Sequence, residues 1–224
     1  MSEKSKRTRK IKTAVVTGGH TYDVLNFHKL FRRLKGIDAY IQPMDDFASS
    51  PEEVRDSYDV VLFYIMLIDG PQDEELPGYA GIPKAAIQHL GEVEQGIVVL
   101  HHAILAYPQW PVWREIAGID GRNFGYDHDQ SLHIHIADPA HPITRGLTDW
   151  DMVDETYTMR DADESNDILL TVDHPRSMKT IAWTRYYKKS RLFCWQSGHD
   201  NVAWLAPNFQ EILTRGIQWV AKRI

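Results

Sequence analysis

The stretch Thr13-Ala14-Val15-Val16-Thr17-Gly18-Gly19-His20 decides the fold. Its first five residues are apolar or β-branched, which suits a buried strand, and paired glycines end it. Beyond them Phe27, Leu30, Phe31 and Leu34 recur at spacings of three, four and seven, one face of a helix. The reading is a buried strand followed by an amphipathic helix.

Working outward, Asp38 to Pro43 reads as a second short strand. Ser50-Pro51-Glu52-Glu53 then offers a capping serine, a first-turn proline and a glutamate three residues on, the start of a short helix. Asp59 to Met66 and Gly96 to His102 are nearly continuous apolar runs, as expected of strands covered on both faces, and Ala86, Leu90 and Val93 trace a helical stripe between them. Repeated strand and helix argue for a parallel sheet with right-handed crossovers, a doubly wound three-layer α/β/α sandwich. After Trp113 the pattern changes. Leu132, Ile134 and Ile136 alternate with Ser131, His133 and His135, and Ile168 to Val172, Lys179 to Tyr186 and Arg191 to Trp195 are closely spaced strands, so additional antiparallel strands are expected in the C-terminal half. Asn208 to Glu211 then resembles a helix cap, and Phe209, Ile212, Leu213, Ile217 and Val220 form the inner face of a closing helix.

With 224 residues, 43% hydrophobic and 25% charged, the chain has the composition of one globular domain. The expected division is a flexible basic tail over residues 1–10 and a single α/β domain over 11–224. Net charge is -6, with both signs interleaved, so no cationic field is available for nucleic acid. The longest apolar run, Val60 to Ile68, falls far short of the ~20 residues of a membrane span. Neither nucleic acid nor membrane is an expected partner. The single cysteine, Cys194, cannot form an internal disulfide, which fits a reducing compartment, and the expected location is the cytoplasm.

Ligands of open α/β sheets bind beyond the carboxyl ends of the strands, where loops converge. Three predicted strands end in histidine: the first in Gly18-Gly19-His20, the fourth in His101-His102, and Leu192 to Trp195 in Gln196-Ser197-Gly198-His199-Asp200. One such imidazole is as readily a loop-carbonyl donor, but a sheet would carry all three ends to one cleft. Asp154-Glu155-Thr156-Tyr157 adds a carboxylate and a phenol, and Glu155 there could orient an imidazole or act as a base; a solvated strand face is an equal reading. His133 and His135 share a strand face at a zinc-ligand spacing, although an exposed face explains them better. His128-Asp129 is a weaker signal. Tyr107, Trp110 and Trp113 follow the histidine pair and Trp204 follows His199, rings on which a sugar can stack, Trp113 being the best candidate for plain core packing.

These residues together resemble the ThuA-like (trehalose utilisation) family of the class I glutamine amidotransferase-like superfamily. The likeness rests on Val15 to His20, Gly96 to His102, His141-Pro142-Ile143-Thr144-Arg145-Gly146-Leu147, Asp154 to Tyr157, Gly198-His199-Asp200 and Arg215-Gly216-Ile217-Gln218-Trp219. It implies a flavodoxin-like, mostly parallel three-layer fold and a role in carbohydrate catabolism, often with oxidised (3-keto) disaccharides. Amidotransferases of the superfamily carry a nucleophilic cysteine on a tight strand-to-helix turn. The matching turn here is Leu100-His101-His102-Ala103, with neither cysteine nor serine, and Cys194 lies inside an apolar strand, so glutamine hydrolysis is not expected.

Two functions follow. In one, His20, His101, His102, Glu155 and His199 surround a sugar derivative and move protons beside its carbonyl, with isomerisation, elimination and hydrolysis all compatible. Tyr107, Trp110, Tyr157, Asp200 and Trp204 would contact the substrate, and a divalent metal such as zinc would be held by His102 and His199. In the other, the fold has lost its nucleophile and serves as a non-catalytic module holding a sugar or a partner sugar dehydrogenase. A homo-oligomer is compatible with either.

Overall fold

In the computed structural model, residues 9–71, 83–120 and 123–224 are described. Residues 1–8 of the expected basic tail lie outside them. Arg9, at its end, pairs with both oxygens of Asp59 at 2.6 and 2.8 Å.

The chain runs β1 (Ile11–Gly18), α1 (Val24–Arg33), β2 (Ile37–Pro43), α2 (Met44–Ser49), α3 (Glu52–Arg55), β3 (Val60–Ile65), α4 (Pro83–Gln88) and β4 (Gly96–Leu100). A 3-10 turn, His101–Leu105, and α5 (Pro111–Ala117) lead into β5 (Gly125–Ile136), β6 (Trp150–Thr158), β7 (Asp167–Val172), β8 (Thr180–Tyr187) and β9 (Ser190–Trp195). Helices α6 (Asn201–Leu205) and α7 (Pro207–Val220) close the chain.

The nine strands of the described residues form one sheet in the order β2-β1-β3-β4-β9-β8-β7-β5-β6. From β2 to β9 neighbours are parallel; from β9 to β6 they are antiparallel. The alternation of side chains along the buried strands gives the sheet its two apolar faces. Val60, Leu62 and Tyr64 pack with Phe27, Leu30, Phe209 and Leu213 of α1 and α7, whereas Val61, Phe63 and Ile65 pack with Phe47, Ile87, Trp113 and Ile116 of α2, α4 and α5. These are the three layers expected from the sequence. Each fully buried Phe or Leu contributes roughly 1.5–3 kcal/mol, so the two faces together fix the parallel strands in register.

Local expectations need three corrections. The Ser50 hydroxyl does not cap α3; it bonds back to the Asp46 carbonyl, and Pro51 is the cap residue. Helix α4 ends at Gln88, leaving Leu90 and Val93 in the turn before β4. Helix α7 starts at Pro207, one residue before the cap-like Asn208, because proline's fixed φ suits the first helical turn.

Candidate active site

Parallel pairing of β1, β3, β4 and β9 puts their carboxyl ends on one edge of the sheet, and that edge carries the histidines. At the end of β1, Gly19 has φ +75°, and a side chain there would run into the Met66 carbonyl of the neighbouring loop. Only glycine lets the backbone pass so close, and His20 turns inward behind it. At the end of β4, His101 holds φ +54°, a left-handed value uncommon outside glycine, at the apex of the tight turn into the 3-10 segment. Strain of this kind persists where surrounding structure enforces it. His101 and His102 are fully buried, and His199 follows β9 through Gly198 at φ +115°.

The hydrogen bonds assign the protons. His101 Nδ1 lies 2.7 Å from the Gln196 carbonyl, which can only accept, so Nδ1 carries a proton. Three groups converge on Nε2: the Tyr157 hydroxyl at 2.9 Å, His199 Nδ1 at 3.2 Å and Glu155 Oε1 at 3.5 Å. The second Glu155 oxygen lies 2.9 Å from His128 Nδ1 and 3.3 Å from His199 Nδ1. Burial raises the Glu155 pKa, but the hydrogen bond and charge of His101, followed by His199 and Tyr157, outweigh it and hold the carboxyl below the usual range. Burial, reinforced by His101, pushes the His199 imidazole down against the pull of Glu155.

Beside this group, His102 donates Nδ1–H to the Ile65 carbonyl at 2.9 Å, while its Nε2 is buried without a partner among the described residues. Burial, with His101 adjacent, lowers its pKa to about 2, so the ring is neutral. The His20 ring packs 4.7 Å from His102 and 5.9 Å from His199, and its Nδ1 is likewise unpartnered.

The supports come from β6 and β9. Asp154 accepts from the backbone N–H of Gly198, His199 and Glu155 at 2.7, 3.1 and 2.9 Å. Tyr64 donates to the carbonyls of Gly198 and His199, and Trp204 Nε1 donates to Gly198. Although β6 is an edge strand, Asp154, Glu155, Thr156 and Tyr157 are buried, so the solvated-face reading of this segment does not hold.

His128 also belongs to this centre. The β5–β6 register shifts between Asp127 and Gln130, Asp129 takes φ +55°, and this bulge carries His128 over Glu155. Its sequence signal was only an Asp-His-Asp run. In the opposite direction, Tyr107 and Trp204 are buried core residues, and the partly buried Trp110 packs on Tyr107 in the far apolar layer rather than on the histidine cluster. Asp200 caps α6 through Val202 N–H and lines an open cleft of about 310 Å³ with His128, Asp129, Glu155 and His199.

Among the described residues three groups bring metal-ligating atoms within 4.8 Å of one another: His101, Glu155 and His199; His133, His135 and Asp149; Glu52, Asp56 and His89. The first contains His101 where sequence reasoning had put His102, because the turn at His101 aims its Nε2 at His199 while His102 points to the β3 carbonyl. In the second, each imidazole bonds an aspartate, His133 to Asp151 and His135 to Asp149.

Fold and site together define a three-layer α/β protein with a histidine–carboxylate centre at the carboxyl ends of its parallel strands. The chain belongs to the ThuA (trehalose utilisation) family, whose model matches residues 50–220, and membership gives it a carbohydrate-related role. It is similar in structure to a putative ThuA-like protein from Parabacteroides merdae (20% identity, TM-score 0.73, covering 95% of this chain and 90% of that one). A cytoplasmic protein from Salmonella typhimurium is similar at 13% identity and TM-score 0.68, covering 93% of this chain and 98% of that one. β-Galactosidase from Bacillus circulans matches at 14% identity and TM-score 0.61 over 93% of this chain, but only 30% of its own. At these identities the likeness is one of fold. No curated protein matches the chain. Among the described residues no helix is long and apolar enough to cross a membrane.

Proposed function

We propose that the protein is a cytoplasmic enzyme acting on a sugar or keto-sugar, such as a 3-keto disaccharide, by proton transfer at the carbon beside the carbonyl. The observation that carries this reading is Glu155, an ionised, mostly buried carboxylate between His101, His128 and His199, beside the cleft that Asp200 lines. A carboxylate of that kind is a base. Glu155 or His199 takes the proton as the C–H bond breaks; its electron pair forms the enediolate, whose oxygen is protonated by a neighbouring imidazole. Returning the proton to the adjacent carbon isomerises the sugar, and expulsion of a β-substituent eliminates it. His20 and His102 line the same centre, and Tyr157 orients His101. An oxidised substrate requires a sugar dehydrogenase to supply it.

The test is turnover of a 3-keto disaccharide by the parent protein and by His199→Ala and Glu155→Ala. Both variants are expected to retain sugar binding while kcat falls by about 10²–10⁴. Binding without turnover in the parent would instead identify a sugar-binding module.

A further inference from the structure

We infer that His101 Nε2, His199 Nδ1 and a Glu155 carboxylate oxygen form a three-ligand divalent metal site. The inference rests on the reading of this centre as the reactive one, though not on the identity of the sugar.

The separations carry it. Zinc binds histidine nitrogen and carboxylate oxygen at about 2.0–2.2 Å, so two ligands of a tetrahedral site stand roughly 3.3–3.5 Å apart. His101 Nε2 lies 3.2 Å from His199 Nδ1 and 3.5 Å from Glu155 Oε1, His199 Nδ1 lies 3.3 Å from the other carboxylate oxygen, Oε2, and one ligand atom from each of the three residues falls within 4.8 Å of the others, close enough for one ion to draw together. A metal would take the single lone pair of His101 Nε2 in place of the Tyr157 hydroxyl 2.9 Å away, and the Glu155 carboxylate offers lone pairs only.

The surroundings are those a metal site needs. Ligating histidines usually donate their other ring N–H to a carbonyl or carboxylate, which fixes tautomer and ring plane, and Gln196 does this for His101. Asp154 fixes the backbone of His199. Three protein ligands leave a fourth position for water or a substrate oxygen, the pattern of a catalytic zinc rather than a structural one. His128, half exposed on the bulge of β5, stands beside Glu155 on the cleft side and is placed to bond the group that takes that position. A metal there would polarise the sugar carbonyl. By contrast, His133 and Asp149 are exposed, and His89 has its Nε2 occupied by Asp56 at 3.0 Å.

The experiment is zinc uptake by the full chain, stripped with chelator, given zinc chloride and dialysed, with no sugar present. One zinc per chain is expected, lost in His199→Gln and Glu155→Gln but kept in His133→Ala/His135→Ala and His89→Ala. Cobalt chloride should give the intense visible bands of tetrahedral cobalt in the parent, and circular dichroism confirms that the variants fold. The proposal is overturned if the parent takes up neither metal, or if uptake survives His199→Gln and disappears with His135 or His89. Turnover that persists in metal-free protein would also overturn it while leaving acid–base catalysis intact. Stoichiometric zinc in a protein that turns over no sugar would sink only the functional reading.

Discussion

Asp154 holds His199 by its backbone rather than by its ring: one carboxylate oxygen accepts His199 N–H at 3.1 Å and the other accepts Gly198 N–H at 2.7 Å. A fully buried acid of β6 thereby sets the loop that delivers an imidazole from β9.

Asp154→Ala removes the acceptor of these bonds, and of Glu155 N–H, leaving buried donors unpaired. Stability should fall by about 2–4 kcal/mol, read from urea unfolding. Burial also pushes the Asp154 pKa from 3.8 up to about 6, against the pull of His101 and the three N–H groups. The native state then keeps a proton that the unfolded chain has released. This contribution is complete below about pH 4 and is lost as pH rises through 6, by on the order of 1 kcal/mol from pH 5 to 7. Parent and variant should differ by that slope; parallel profiles would rule it out.

His102 works with the opposite sign. Its pKa, lowered from 6.5 to about 2 by burial, means that the unfolded chain gains a proton first as pH falls. Stability from this group is present above pH 6.5 and is lost below it, about 2 kcal/mol between pH 7 and 5. In His102→Asn, whose amide can donate to the Ile65 carbonyl in its place, that loss should disappear. An unchanged acid slope in this variant would mean that the imidazole is not held neutral.

Gly19→Ala should cost about 2 kcal/mol or more, since a left-handed φ is combined with a collision at the Met66 carbonyl. Gly36→Ala is the control: φ is +79°, but nothing lies within 4 Å of the added carbon, so only the conformational cost of about 1 kcal/mol applies. Equal losses in thermal unfolding would show that the close approach beneath His20 does not matter.

Cys194 lies in β9 with no exposure, and its thiol donates to the Ala117 carbonyl at 3.4 Å. Burial pushes its pKa up, far from the reactive thiolate range. Ellman's reagent should therefore label native protein only at the rate of unfolding and label urea-unfolded protein at once. Rapid labelling of the native chain would contradict the packing of β9.

The layers, and the edge of the sheet on which the site lies, are written in the hydrophobic pattern of the chain. Continuous apolar runs from Val60 to Ile65 and from Gly96 to Leu100 can be satisfied only between two helical layers, and parallel pairing then sends His20, His101 and His199 to the same side. Tertiary structure decided which atoms meet. A positive φ at His101 chose that ring over its neighbour; the bulge at Asp129 brought in His128; and the inward packing of β6 buried Glu155 and Tyr157. Packing on Trp113 drew Tyr107 into one apolar layer, and packing on Phe27 and Tyr64 drew Trp204 into the other. Periodicity reports which face of an element is apolar, but a single bulge or left-handed residue re-aims a side chain without altering the hydrophobic pattern, so the strand-end histidines were legible and the geometry of their centre was not.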